Sequence, residues 1–508
     1  VNINGTNIPI GDLTLSFDNL SLGFEICEDA WVENREYGSL QNSSVDLVVN
    51  PSASHFAFQK QSERRQLVCN GSELFDSVYL YSNMCANEAG RIIYDGSCLA
   101  AQAGNLLSES ERFLFDDVHI HSVTVEVKQK EKSTDQVAIA WSFPESNSLL
   151  NRSIKGKDLN NEEEFYLAET LGLFDYMRKS FSRGFVLSLS GGVDSACCAV
   201  LVYQMMQRAI QELGLEGVKE KLKYFTELQD CQTLEEMMPK VLLTVYQATE
   251  NSGPVTETAA RSLSESISAG YYFFNVDDVL KGYHQLIETA LDRPLKWETD
   301  DLALQNIQAR VRAPGVWMLS NVRNALLLTT SNRSEAAVGY ATMDGDTSGG
   351  LCPLGGVDKT FLRTWLNHVE TIGFLETGTL PILRLVNEQA PTAELRPQDN
   401  HQTDEDDLMP YDVLDFIEKA SIRDKRSPMQ IFTLLEEEYG TSYSKDKLYF
   451  FLEKFCQLWS RNQWKRERYA PSFHMDDENL DPKTWCRFPI LSGSYQYELQ
   501  LLTERIHE

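Results

Sequence analysis

The chain has 508 residues, 42% of them hydrophobic, enough for two to four domains with sizeable cores. Asp and Glu number 75 against 46 Lys and Arg, a formal charge of −29 that argues against nucleic acid or an anionic membrane as the main partner. No apolar run reaches the ~18 to 20 residues of a membrane span, no signal peptide is visible, and the ten cysteines lack C-x-x-C or zinc spacing, which suits free thiols in the cytoplasm.

Residues 1–145 alternate β-rich runs with polar turns: Leu13–Phe17, Ser21–Ile26, Val45–Val49 and Val78–Tyr81, with a helix expected between Phe56 and Cys69. This rhythm predicts an α/β sandwich or layered sheet. The sequons at Asn42 and Asn70 are expected to be chance matches. Cys27 ends the second run, just before Glu28-Asp-Ala-Trp31. A strand end beside a loop is a place for a nucleophile, although single cysteines more often serve as buried packing residues.

Three stretches weigh on that choice: Gly23-Phe-Glu-Ile-Cys-Glu-Asp-Ala-Trp31, Asn50-Pro-Ser-Ala-Ser-His55 and Tyr94-Asp-Gly-Ser97. In order, they resemble the second half of the nitrilase-like glutaminase domain of glutamine-dependent NAD synthetases. The resemblance implies that Cys27 attacks the glutamine carboxamide, giving a thioester and ammonia, and that Ser54 and Lys60 contact glutamine. The family also uses a Glu base and an oxyanion-stabilising Lys, both well upstream of the Cys. Only 26 residues precede Cys27, none of them Lys. The chain is therefore expected to start inside this domain and to hydrolyse glutamine poorly. Cys69, Cys85 and Cys98 read as structural.

A polar, aperiodic stretch over 146–161 reads as a linker, and 162–508 as a second domain. Glu162–Ser180 has acid at its start, base at its end and helical apolar spacing, which predicts an amphipathic helix. Next comes Phe185-Val-Leu-Ser-Leu-Ser-Gly-Gly-Val-Asp-Ser195: a buried strand, a glycine turn and a helix start. Gly191 and Gly192 allow close approach of an anion, and the helix start would present amides and the positive dipole end to it. The run lacks the Lys of a Walker loop. It resembles the SGGxDS pyrophosphate loop of the ATP pyrophosphatases, which implies that Ser190, Gly191, Gly192, Val193 and Ser195 bind ATP. Asp194 beside phosphates makes sense mainly with Mg²⁺ between them.

Gln207–Pro239, charged and helical, is expected to be a surface insertion. Strands are then predicted over Val241–Tyr246 and Tyr271–Val276, with a helix ending at Ile267 between them. This alternation indicates a doubly wound parallel sheet with ligands at the carboxyl ends of its strands. Leu302–Arg312 is a helix with Asn306 and Arg310 on one face, and it resembles the N-x-x-A-R-x-R helix of NAD synthetases, which adds Arg312. Ala325–Thr330 predicts another strand, after which Glu335 could complete a hard-oxygen Mg²⁺ site with Asp194. The family resemblance continues through Tyr340–Asp346, Leu351–Thr360, Pro391–Arg396, Gln402–Asp407, Pro410–Asp415 and the late basic pair Lys465-Arg466. It implies that Lys359 contacts phosphate and that Thr342, Asp346, Lys465 and Arg466 contact substrate.

The whole chain is thus identified as a member of the glutamine-dependent NAD synthetases, with the carboxy-terminal part of a nitrilase-like domain followed by an ATP-pyrophosphatase domain. The family chemistry is amidation of deamido-NAD⁺ through a carboxylate adenylate, using ATP, Mg²⁺ and ammonia from glutamine; ammonia alone is the donor expected for this chain. Family members also imply a homo-oligomer with a dimeric synthetase core and ammonia passing between domains. Two other readings keep the loop. A GMP-synthetase-like or tRNA-thiolating pyrophosphatase would share it, although the charge disfavours the latter. A non-catalytic nucleotide-binding protein would have no reason to keep Asp194, Glu335 and Lys359 together.

Overall fold

The computed structural model describes all residues except 18–19, 33–34, 36–39, 41–44, 89, 128–129, 131–135, 140–155, 390–403 and 508. The Asn42 sequon, most of the 146–161 stretch, Pro391–Arg396 and the start of the acidic run at 402 fall outside the described residues. The chain divides into two compact units, Val1–Leu171 and Gly172–Glu508.

In the first unit, strands β1 (Thr14–Phe17), β2 (Leu20–Phe24) and β3 (Leu47–Ser52) are followed by helix α1 (Lys60–Leu74) and by β4 (Val78–Asn83), β5 (Cys98–Gln102), β6 (Asn105–Glu109) and β7 (Gln136–Ile139). They form one mixed seven-stranded sheet in the order β6-β5-β4-β3-β2-β1-β7. β2, β3 and β4 run parallel, so the ends of β2 and β3 that lead to Cys27 and Ser54 share an edge. Leu67 and Val68 of α1 pack with Val48, Tyr79, Tyr81 and Ala101 of the sheet. This is the layered α/β arrangement expected from the alternating runs.

Helix α2 (Asn161–Lys179) contains the division between the units. It is buried on more faces than an amphipathic helix would be: Phe165, Ala168, Leu171, Phe174 and Met177 are buried, and so are Glu164, Glu169 and Asp175.

The second unit opens with β8 (Phe185–Ser188) and the long helix α3 (Val193–Lys221), then α4 (Leu234–Val241), β9 (Leu242–Ala248), α5 (Pro254–Ser266) and β10 (Gly270–Asn275). Helices α6 (Asp277–Leu291), α7 (Trp297–Val311) and α8 (Ala313–Arg323) precede the last strand, β11 (Leu326–Leu328). All four strands are parallel, in the order β10-β9-β8-β11. The order reverses between β8 and β11, which is the switch point where doubly wound sheets bind ligands. Phe185, Val186 and Leu187 are fully buried, as an unbroken apolar run in a sheet covered on both faces requires.

After β11 the main elements among the described residues are helices: α9 (Arg333–Val338), α10 (Lys359–Thr371), α11 (Tyr411–Glu418), α12 (Pro428–Tyr439), α13 (Lys445–Arg466) and α14 (Gln496–His507). Leu414, Ile417, Leu435, Phe455 and Trp459 join Ala336 of α9 in a second core.

One expectation fails. Gln207–Pro239 is not a surface insertion: α3 runs into it as far as Lys221, with a break at Gly214 (φ 70°), and α4 follows from Leu234. Ala209, Val218, Leu222, Leu228, Met237 and Met238 are fully buried. The charges hide this in the sequence: the apolar residues between them pack inward, and Arg208 and Lys219 are buried with them.

Candidate active site

The glycine turn joins β8 to α3 as the motif predicts. Gly191 has φ +85°, and a Cβ there would lie 2.2 Å from the Thr256 carbonyl oxygen, so no other residue fits this turn. At Gly192 a Cβ would meet only Ser190 Oγ, at 3.5 Å, so the missing side chain there leaves room in the cavity that Gly192 lines. Ser195 braces the loop from within. Its Oγ accepts the Ser190 amide at 3.2 Å and donates to Gly192 O at 3.2 Å. The first amides of α3 have no partner inside their own helix, the arrangement that favours an anion.

The cavity at the switch point measures about 390 Å³. Ser190, Gly192, Val193 and Asp194 line it from the β8 side, and Glu335 and Lys359 from the side of β11. Lys359, only 4% exposed at its side chain, forms an ion pair with Asp194 and a longer one with Glu335 at 3.5 Å. Asn332 joins the same group: its Nδ2 donates to Asp194 Oδ1 at 3.2 Å while its Oδ1 accepts the Glu335 amide at 3.0 Å and caps α9. The sequence reading passed over Asn332 because an Asn before a helix reads as an ordinary cap. Its second contact, with Asp194, becomes visible only when β11 is placed beside β8.

Asp194 and Glu335 fit a Mg²⁺ ion. Both are hard oxygen donors that line the cavity and meet at Lys359, and Mg²⁺ takes one or two protein carboxylates together with substrate phosphates rather than an all-protein cage. No group of three or more His, Cys, Asp or Glu side chains suited to a metal occurs among the described residues.

The far wall comes from α7 and the loop after α9. Asn306, Arg312, Thr342, Asp346 and Lys465 all line the cavity. Thr342 Oγ1 donates to Asn306 Oδ1 at 2.9 Å and the Thr342 amide to Asp346 Oδ2 at 2.6 Å. Arg312 reaches Gln247 O at 3.2 Å and Thr249 Oγ1 at 3.3 Å. Lys465 Nζ donates to Gly339 O at 2.7 Å and Ala341 O at 3.1 Å, and burial pulls its ammonium below the ordinary lysine range.

Two residues expected at the dinucleotide substrate lie elsewhere. Arg310 is exposed off the cavity and donates to Met343 O at 3.0 Å, holding the loop that carries Thr342. Arg466 is 2% exposed, donates to Gln463 Oε1 at 2.7 Å and Leu480 O at 2.6 Å, and lies over the Trp459 ring. It belongs to the helical core. One residue along a helix turns the side chain by about 100°, so Lys465 and Arg466 cannot face the same way.

Residues 166–468, more than half of the chain, match the NAD synthase family. The fold also resembles that of a glutamine-dependent NAD(+) synthetase from Cytophaga hutchinsonii, with a TM-score of 0.79 and 43% identity, over 98% of this chain and 76% of that one. The chain belongs to the glutamine-dependent NAD(+) synthetase family. Glutamine-dependent NAD(+) synthetases of Bos taurus and Homo sapiens are 28% and 26% identical, over 95% and 98% of this chain and 74% and 76% of their own. The family match begins at Tyr166 and ends at Arg468, so it takes in the parallel sheet and the whole cavity lining.

In the first unit, Cys27 begins a short 3-10 helix, Cys27–Trp31, directly beyond β2. Its φ of +50° is an uncommon backbone state for a residue with a side chain, and such states gather at reactive sites. Lys60 Nζ lies 5.6 Å from the centre of the Trp31 ring and 3.0 Å from His55 Nε2, on the same edge of the sheet. Ser54 is tied inward. Its Oγ accepts from Arg64 at 3.3 Å and its carbonyl from Arg64 and Asn83, in a buried network around Asp95.

Proposed function

We propose that the cavity performs the ATP-dependent amidation of deamido-NAD⁺ to NAD⁺, and that the first unit serves the supply of nitrogen from glutamine. The observation that carries this reading is the meeting of Asp194, Glu335 and Lys359 in one cavity at the switch point of a parallel sheet.

The nicotinate carboxylate attacks the α-phosphorus of ATP, the bond to the β-phosphate oxygen breaks, and pyrophosphate leaves. Ammonia then adds to the carbonyl carbon of the adenylate, loses a proton and expels AMP. An ionised carboxylate needs no base to attack, so the protein contributes position and charge. Ser190, Gly192 and the first amides of α3 receive the departing pyrophosphate, and Lys359 stabilises the negative charge that gathers on it. Asp194 and Glu335 would hold Mg²⁺, which when bound offsets repulsion between the two anionic reactants. Asn306, Arg312, Thr342, Asp346 and Lys465 orient the dinucleotide on the far wall. Cys27 is the nucleophile toward glutamine, which Lys60 contacts.

Cytoplasmic residence agrees with ten cysteines none of which is joined in a disulfide. No helix among the described residues is long and apolar enough to cross a membrane. A homo-oligomer is favoured by the apolar surface that α6 and α8 leave open: Val279, Leu286 and Leu291 on one, Met318 and Val322 on the other.

The test is formation of AMP and NAD⁺ from ATP, Mg²⁺ and deamido-NAD⁺, with ammonium or glutamine supplied in parallel. Ammonium reports on the cavity by itself. NAD⁺ appearing with AMP in equal amount supports the reading; ATP bound without any AMP released points to a nucleotide-binding protein instead.

A further inference from the structure

Glu335 and Lys359 arrive in the cavity from two different helices, and the residues beside them are laced together. The Arg333 amide donates to Val357 O at 2.8 Å, and its guanidinium donates to Gly356 O at 3.0 Å and Asp358 Oδ2 at 3.1 Å. The Lys359 amide donates to Ser334 Oγ at 2.8 Å. Ser334 Oγ donates in turn to Asp415 Oδ1, and Asp415 Oδ2 accepts the Thr360 amide at 3.2 Å. Asp415, on α11, therefore holds the residue before Glu335 and the residue after Lys359, while not itself lining the cavity.

We propose that Asp415 is a positioning residue for the synthetase reaction: its carboxylate clasps the starts of α9 and α10 and so sets Glu335 and Lys359 opposite Asp194. The proposal rests on the reading of the cavity as the synthetase site. It assigns Asp415 no contact with substrate.

Both partners of Asp415 are donors, so the ionised form suits the clasp, since each oxygen then accepts one hydrogen bond. A proton on either oxygen removes one acceptor. The surroundings decide how readily that proton comes. Asp358 from α10, Glu418 one turn along α11 and Tyr439 from α12 face Asp415, with Arg333 from α9 as a nearby cation. Arg333 is already shared among Asp358, Glu418, Asp476 and Glu478, at 2.7 to 3.1 Å. Burial and the charge of Asp358 push the Asp415 carboxyl up to about 7. The clasp should accordingly tighten as pH rises through neutrality, and turnover should rise with it.

The experiment measures NAD⁺ formation with ammonium, saturating ATP, Mg²⁺ and deamido-NAD⁺, from about pH 5.5 to 9, for wild type, Asp415→Ala, Asp415→Asn and Ser334→Ala. Loss of the clasp should lower kcat about tenfold or more in Asp415→Ala, with KM for both substrates within about twofold and an unchanged circular-dichroism spectrum. Asp415→Asn keeps an oxygen for the Thr360 amide, so it should recover part of kcat and show no rise through neutral pH. Ser334→Ala removes the hydroxyl between Asp415 and the Lys359 amide, and should show the same fall in kcat without a change in KM, whether or not the Asp415 variants fold. A wild type that makes no NAD⁺ overturns the reading of the cavity and this proposal with it. An active wild type overturns the proposal alone if the folded variants keep its kcat and pH profile, if only KM changes, or if all three variants fail to fold.

Discussion

Lys359 stands between two carboxylates, and one cation beside two anions leaves the wall short of positive charge. That deficit is what a metal-assisted phosphate site needs before ATP arrives, and it sets expectations for single residues. Asp194→Ala should lower NAD⁺ formation on the order of 10² to 10³-fold while the thermal unfolding midpoint stays close to wild type, because the side chain is not part of a core. Lys359→Arg should not restore Lys359→Ala: a planar fork cannot occupy the point between Asp194 and Glu335 that an ammonium fills. Initial rates with ammonium check both. Lys465 and Arg466 mark the limit of what the sequence tells at this scale. The pair was legible as a late basic dipeptide, yet which of the two faces the cavity depends on where α13 lies, and no local pattern states that.

Among the elements, the turn between β8 and α3 was the most legible, since a buried strand, two glycines and an apolar helix are all local signals. Gly191 and Gly192 should separate by experiment. Gly191→Ala puts a methyl group against Thr256 O in a left-handed backbone and should destabilise the unit by about 1–3 kcal/mol or more in denaturant melts. Gly192→Ala should melt like wild type and bind ATP more weakly. The stretch from Gln207 to Pro239 was misread for a physical reason: its apolar residues are mostly methionines and leucines set among charges, and burial of that face depends on α4 packing against β9 and β10. Met237→Ala should therefore cost about 2–5 kcal/mol, a core value that a surface insertion could not produce.

For the whole second unit, Asp415 and Glu418 together make stability depend on pH. Burial raises both carboxyls in the folded state, Asp415 to about 7, above their values in an unfolded chain. The folded state then holds more protons than the unfolded state across the acid-to-neutral range, so this part of the stability is present below the ordinary carboxylate range and is lost as pH rises toward 7. Thermal melts should show the midpoint falling over that window, and less so in Asp415→Asn. The apolar surface of α6 and α8 leads to a second expectation. Leu286→Asp with Val322→Asp should leave melting of the isolated chain nearly unchanged but shift its mass in light scattering toward a monomer.

The strand order β10-β9-β8-β11 also bears on when the site can come into being. The partners that define it, Asp194 and Lys359, are 165 residues apart in the chain, and they meet only after β11 has slotted in beside β8. Such a long-range closure is slow compared with the local hairpins and helices that precede it. A ribosome that has released residues only as far as α8 has already made the entire glycine turn, yet it carries no opposing wall. Nucleotide capture should therefore switch on late in synthesis, as one of the last events in folding of the parallel sheet.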